Sequence, residues 1–424
     1  MRSRPCASLV WLVAVWVLPS VADAADTWPG FRGHGDSHAD ARDLPTSWEL
    51  RGRRPGQWSI RLPGYGQSSP VVWKDKIFVT AVSGDEKEHL HVLAVNLEDG
   101  RVLWRREFSA SQRVPDSDTV SRGAPTPVAD AQRLYVVFES GDAVALDHAG
   151  QVLWQRSFVN DYGPIQGPHG YASSPVLVDD LVVLQVIHAG PSYVLALDQA
   201  TGQTRWKSEH PSHTAWSTPA VAAHGSHKVV IVSSSGSVRA FDARQGLPLW
   251  SFTDVSGNST ASPTLAGRWL IIGASSEPGG GGRLASAAPP TGSVALRFGD
   301  DRSQPPEAVW SSPKISAGYA SPCVVDRWVY FVSRAGVLQC VELESGKLLW
   351  QHRLPGEAWA SPVVAGDRLA IFCKSGPVVM LRAGPTLEIL GESQISTTDI
   401  VYGVAAVDGC WIVRSGRGLI RITP

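Results

Sequence analysis

The side chains best able to do chemistry in this chain are scattered, and none falls into a motif that commits it to a reaction. The sequence holds no G-x-S-x-G turn to expose a nucleophilic serine, no H-E-x-x-H pair for zinc, and no phosphate-cradling or dinucleotide-binding glycine loop. Histidines occur as the pairs His34/His38, His89/His91, His210/His213 and His224/His227. At strand or loop spacing such pairs read as solvated surface, so no metal site and no catalytic residue is assigned. The carboxyls of Asp116, Asp118 and Asp161 fall on polar insertions. Carbohydrate cleavage would need two of them at a defined separation, which a sequence does not supply.

Aromatic side chains offer a different kind of chemistry. Recurring Ser-Pro or Thr-Pro steps are preceded by Gln67, Arg122, Tyr171, Trp216, Thr260, Tyr319 and Trp359, with Tyr402 at the matching place in the tail. Tyr and Trp give a large rigid contact area with a polar handle, which suits a binding site. His169 and Asn258 stand close by in sequence and add polar groups. The competing reading is that these aromatics plug a channel. Either reading requires an architecture that gathers residues some 50 positions apart.

The repeat supplies that architecture. Pro70, Pro127, Pro175, Pro219, Pro263, Pro322 and Pro362 each open a unit of four short strands with a fixed period, the pattern of a β-propeller blade. Second strands such as Val329-Tyr330-Phe331-Val332 are apolar throughout, so their sheets are buried on both faces. Third strands end Ala-Leu-Asp or similar, and a Gly turn follows. The first six units close on a tryptophan: Trp104, Trp154, Trp206, Trp250, Trp310 and Trp350. The Asp is expected to cap its turn and the Trp to dock on the neighbouring blade.

The tail from Tyr402 to Ile422 makes only three strands, while Gln57 to Leu62, with Trp58, resembles an orphan last strand. Pairing the two closes a ring and leaves no open edge. The fold class is therefore all-β, an eight-bladed β-propeller over residues 57–424, preceded by a lead-in segment at 25–56. The seventh unit offers Leu387-Glu388-Ile389-Leu390 in place of a Trp, which predicts weaker docking there. Insertions run from Ser109 to Gly123, Val159 to Tyr171 and Ser275 to Gly292.

Composition narrows the function classes. A formal net charge of −1 provides no basic face for nucleic acid or anionic lipid. Arg2 and Arg4, the apolar run Leu9 to Leu18 and Ala22-Asp23-Ala24 read as a signal peptide over residues 1–24, cleaved after Ala24. That makes the mature protein periplasmic or secreted, without stable membrane insertion, and monomeric. Cys323, Cys340, Cys373 and Cys410 have no C-x-x-C spacing for zinc. Export permits disulfides, so pairing and buried free thiols both stay open.

The blade pattern, Ser-Pro-Val-Val, apolar strand, Ala-Leu-Asp, x-Gly-x-x-x-Trp, resembles the pyrroloquinoline-quinone-type repeat. Eight-bladed quinoprotein dehydrogenases share that repeat with BamB, the outer-membrane assembly lipoprotein. Trp28-Pro29-Gly30-Phe31-Arg32-Gly33 and Leu44-Pro45-Thr46-Ser47-Trp48 are similar to the leaders of secreted, BamB-like bacterial proteins of planctomycete type. The resemblance implies a non-catalytic binding or scaffold module for a protein or peptide partner in the cell envelope, or else a quinoprotein-like oxidoreductase. The dehydrogenases hold their quinone against a disulfide of adjacent cysteines beside Ca²⁺. This chain has no Cys-Cys pair and no C-x-x-C-H haem motif, so no cofactor is assigned. The leader also lacks the lipobox of the lipoprotein.

Overall fold

Each of the seven recurring Ser/Thr-Pro steps opens the innermost strand of a four-stranded antiparallel blade, because proline has no N–H to give to a sheet and suits the first position of a strand. The computed structural model describes residues 26–48, 55–117, 121–211, 214–224, 227–275 and 291–424. Eight such sheets stand around a common axis as an eight-bladed β-propeller, the inner strands of neighbouring blades touching. The first blade uses Val71–Trp73, Lys76–Ser83, His89–Asn96 and Val102–Ser109. The eighth uses Val401–Val407, Cys410–Ser415 and Gly418–Ile422, and its outer strand is Trp58–Arg61. Trp58 pairs with Arg421 and Ile60 with Leu419, so the front of the chain closes the ring.

The Ser or Thr before each proline joins one blade to the next. The backbone N–H of Ser69 donates to Thr126 Oγ1 (2.9 Å), that of Thr126 to Ser174 Oγ (3.0 Å) and that of Ser174 to Thr218 Oγ1 (3.1 Å). The series continues through Thr218 to Ser262, Ser262 to Ser321 and Ser321 to Ser361. Gly403 takes this place in the eighth blade, because a Cβ there would run into Ser69. The hydroxyl ladder is thus open at the blade that the N-terminal strand closes.

Tryptophans hold the outer circumference. The indole N–H of Trp58 donates to Leu97 O, Trp104 to His148 O, Trp154 to Gln199 O and Trp206 to Ala243 O. Trp250, Trp310 and Trp350 donate in the same way to Arg302 O, Leu343 O and Gly384 O. Each acceptor follows the third strand of the next blade. The ring of Trp104 lies over Gly150, whose φ is +82° and where a Cβ would come within 2.7 Å of it. Asp147, Asp198 and Asp242 cap these turns through two backbone N–H groups each.

The seventh blade departs from this scheme. In the first six blades the third-strand residue before a recurring bulge faces a Trp, for example Cys340 opposite Trp350; in the seventh, Met380 faces Gly391. Weak docking was the expectation here, and residues 26–48 alter it. Thr46 O lies over Gly391, Trp48 stacks on Phe372 at 6.4 Å, and Trp411 donates to Pro45 O at 2.9 Å. The lead-in thus brings a tryptophan to the seventh blade, its indole N–H donating to Gln394 O.

That lead-in is a strap through the middle of the ring. Thr27–Trp28 adds to the inner strand of the first blade, and His38–Ala39 runs parallel to that of the seventh. Between them Arg32 is fully buried and donates to Ser37 Oγ, Thr264 Oγ1 and Pro322 O, reaching the fifth and sixth blades. Burial lowers its pKa to about 10.

Other departures are local. A five-residue helix, Phe158–Tyr162, is too short to leave an apolar period in sequence. Cys323, Cys340, Cys373 and Cys410 are free and buried, which resolves the open question of pairing. The leader 1–24 and most of the insertion from Ser275 to Gly292 lie outside the described residues. Among those described, no helix is long and apolar enough to cross a membrane.

Candidate binding face at the propeller mouth

Links between blades cross one face of the ring, and there the aromatics of the last three blades meet. Tyr319 stacks on Trp359 with centroids 4.2 Å apart, and Trp359 stands edge-on to Tyr402 at 5.5 Å. Tyr402 is edge-on to Tyr65 at 6.0 Å, and their hydroxyls lie 2.9 Å apart. Arg122 covers the Tyr65 ring at 4.4 Å. The result is a continuous arc of half-buried rings from the sixth blade to the first, covered at its end by Arg122 of the second.

Position explains what sequence reading missed. In the first blade the aromatic stands at Tyr65, two residues before the Gln67 that matches the other units. Gln67 instead clasps Arg122, accepting from its backbone N–H and donating its own to Arg122 O.

Cations seat on the same rings. Arg334 lies 5.0 Å over Tyr319 and donates to its hydroxyl; Lys374 lies 5.5 Å over Trp359 and pairs with Glu357 at 3.3 Å. Arg334 and Lys374 occupy the same hairpin position in successive blades, 334-335-336 and 374-375-376, each ending in Gly. Arg414 holds that position in the eighth blade, buried beneath Tyr65 and bonded to Gly66 O and Thr80 O, with burial lowering its pKa to about 9. Outboard of Lys374, a hollow of about 470 Å³ is lined by Arg353, Leu354, Pro355, Glu357 and Ser375 among others.

The second end of the arc is braced from below. Arg122 pairs with Asp116 at 3.1 Å, and Lys87 donates to Ser121 O at 2.8 Å. Glu139, buried, accepts twice from Gly123 N; burial pushes its pKa up, opposed by Lys87. Burial likewise pulls the Lys87 ammonium down. These groups hold the returning end of the first insertion against the second blade.

His169 and Trp216 form a separate patch. Their rings meet edge-on at 5.6 Å, Trp216 donates to Gly170 O, and His169 O accepts from Ser121 N beside Arg122. Two other residues of the expected set are placed elsewhere. Tyr171 is 1% exposed within the apolar core between the second and third blades. Asn258 is fully buried, bonded to Gly236 N, Ser233 Oγ and Ser237 O. Both side chains serve packing in this structure.

Asp161 pairs with Arg156 at 2.5 Å and Asp116 with Arg122, while Asp118 lies outside the described residues. His91, read as surface, is buried: Arg105 donates to Nδ1 and Nε2–H faces Ser83 Oγ. Among the described residues no group of three His, Cys, Asp or Glu side chains is placed to hold a metal ion.

Comparison with known proteins follows the fold. The protein-family model described as outer membrane protein assembly factor BamB matches residues 56–214, 173–297 and 280–384. The chain belongs to that family. The assembly factor BamB of Shewanella oneidensis is 23% identical over 68% of this chain and 63% of its own length. This chain thus spans less than two thirds of the curated relatives it matches. The crystal structure of BamB from Moraxella catarrhalis superposes with a TM-score of 0.60 at 16% identity, over 86% of this chain and 95% of that one. A quinohemoprotein alcohol dehydrogenase from Comamonas testosteroni reaches 0.60 at 14% identity, over 95% and 81%. At such identities the likeness is one of fold.

The dehydrogenase likeness raises the question of a quinone. Its cradle of adjacent cysteines has no counterpart in a chain whose cysteines are separated, and the Tyr319 and Trp359 ring faces are already covered by each other and by cations. The residues at this mouth do not fit that group.

Proposed function

We propose that this chain is an exported, non-catalytic scaffold that holds a segment of a partner protein at the mouth of the propeller. The observation that carries this reading is the unbroken arc Tyr319–Trp359–Tyr402–Tyr65, assembled from four blades on one face. Rigid aromatic rings, each presenting a polar edge, make contact area at low entropic cost, which is what a recognition surface needs. Membership of a family described by an assembly factor supports the same reading. The His169–Trp216 patch extends the surface toward the third and fourth blades.

The test is affinity capture from an envelope extract with the mature chain. A partner retained by the wild type and lost by the double variant Trp216→Ala, Trp359→Ala supports the reading. Capture identical in both makes the arc a plug. The alternative, a quinoprotein oxidoreductase, shares only the fold with this chain and is not supported by the residues at the mouth. Addition of pyrroloquinoline quinone and Ca²⁺ decides it: a new absorbance band with dye-linked alcohol oxidation would establish that activity, and an unchanged spectrum would remove it.

A further inference from the structure

The mouth is built of repeated pairs, and the pairs carry a charge. In the sixth and seventh blades an aromatic on the linking segment is followed fifteen residues later by a cation on the hairpin, Tyr319 with Arg334 and Trp359 with Lys374. Tyr65 likewise receives Arg122 from the next blade, whereas in the eighth blade Arg414 stands at the hairpin position but is buried. A ring quadrupole draws the cation onto its face and restrains it. The two repeated pairs therefore hold ordered cations, Arg334 and Lys374, on successive blades.

The local balance of charge is positive. Around Tyr319, Trp359 and the adjoining hollow, Arg334, Arg353 and Lys374 stand against Glu357. The whole chain is at −1, so this face is distinct from the rest of the molecule. Arg353 lines the hollow directly outboard of Lys374, which continues the line of cations away from the axis.

Resting on the scaffold reading above, we infer that the mouth recognises an acidic polypeptide segment, laid in extended form across the sixth to eighth blades with its carboxylates against Arg334, Lys374 and Arg353. An anionic sugar polymer is the weaker fit. Sugars stack on open ring faces, whereas here Tyr319 and Trp359 cover one another at 4.2 Å and cations sit over both. What the rings leave for a ligand is edges and polar atoms, which match a peptide backbone and its carboxylates. Guanidinium groups bind carboxylates through paired, charge-assisted hydrogen bonds.

The experiment measures fluorescence anisotropy of labelled deca-L-glutamate, deca-L-lysine, a Gly-Ser decamer and oligogalacturonate with the full mature chain at 20 and 300 mM NaCl. The expected result is binding of the glutamate peptide alone, weakened about tenfold or more by the added salt, since exposed charges are screened beyond about 8 Å in physiological salt. Arg334→Ala with Lys374→Ala should weaken it at least tenfold. Arg327→Ala, which removes a charge from the opposite face of the sixth blade, should not. Arg334→Glu with Lys374→Glu should transfer the preference to deca-L-lysine, and circular dichroism melting checks that each variant is folded. Equal loss in Arg327→Ala, indifference to both mouth variants, or oligogalacturonate binding as tight as glutamate would overturn the inference. If deca-L-glutamate fails while envelope capture still depends on Trp216 and Trp359, the acidic assignment falls and the scaffold reading stands.

Discussion

Single side chains in this protein are tuned by burial more than by partners. His91 is the clearest case, because desolvation, reinforced by Arg105, lowers its pKa from an ordinary 6.5 to about 4 against a smaller opposing pull from Glu107. The folded state then refuses a proton that the unfolded chain accepts between pH 4 and 6.5. Its contribution to stability is complete above about pH 6.5 and is lost as the pH falls toward 4. Wild type should lose roughly 2 kcal/mol between pH 7.5 and 5 through this residue, and His91→Asn should abolish that part of the dependence. Urea unfolding of both proteins at the two pH values measures it. Glu139, whose pKa burial raises, acts with the opposite sign, which is why the comparison is between variants. His91 was misread from sequence because a histidine flanked by Leu90 and Val92 gives no sign of which sheet face is covered.

At the scale of the blade, two devices recur in register: a Ser/Thr hydroxyl beside the axis and a Trp at the rim. Trp206 is 8% exposed and bonded to Ala243 O at 2.9 Å. Trp206→Ala should lower the unfolding free energy by about 3–5 kcal/mol through the cavity it leaves. Trp206→Phe should cost less, with about 1 kcal/mol from the carbonyl bond it forgoes. Chemical denaturation of the two variants separates packing from hydrogen bonding; equal losses would show that the ring alone matters. The Trp spacing was legible because every copy uses it. The Ser ladder was visible only as an opening Ser-Pro, since nothing in one unit tells which atom of the next lies within 3 Å.

The whole ring is held by both ends of the chain and by the strap in its centre. Trp58–Arg61 completes the eighth blade, and residues 26–48 cross from the first blade to the seventh. Trp48 packs on Phe372 of the seventh blade and donates to Gln394 O, while Thr46 O lies over Gly391. Trp48→Ala should therefore destabilise the propeller by about 3 kcal/mol or more and speed proteolytic cleavage within residues 26–48. A variant as stable and resistant as wild type would show that the strap adds nothing to closure. Arg32, buried across the channel from its own blade, gives the same strap a polar anchor on Thr264 and Pro322.

Repetition is what made so much readable in advance. A side chain needed at the same place in eight sheets recurs at a fixed interval, so strand order, blade number and the closing role of Trp58 follow from spacing. Tyr319, Trp359 and Tyr402 were named together on the same ground. Contacts that break the repeat had no such signal. Tyr65 stands two residues off the common position, Trp48 acts on a blade more than 300 residues away, and Asn258 and Tyr171 turn inward although their neighbours face the mouth. Those placements depend on distances between segments far apart in the chain, and only the packed ring brings those segments within reach.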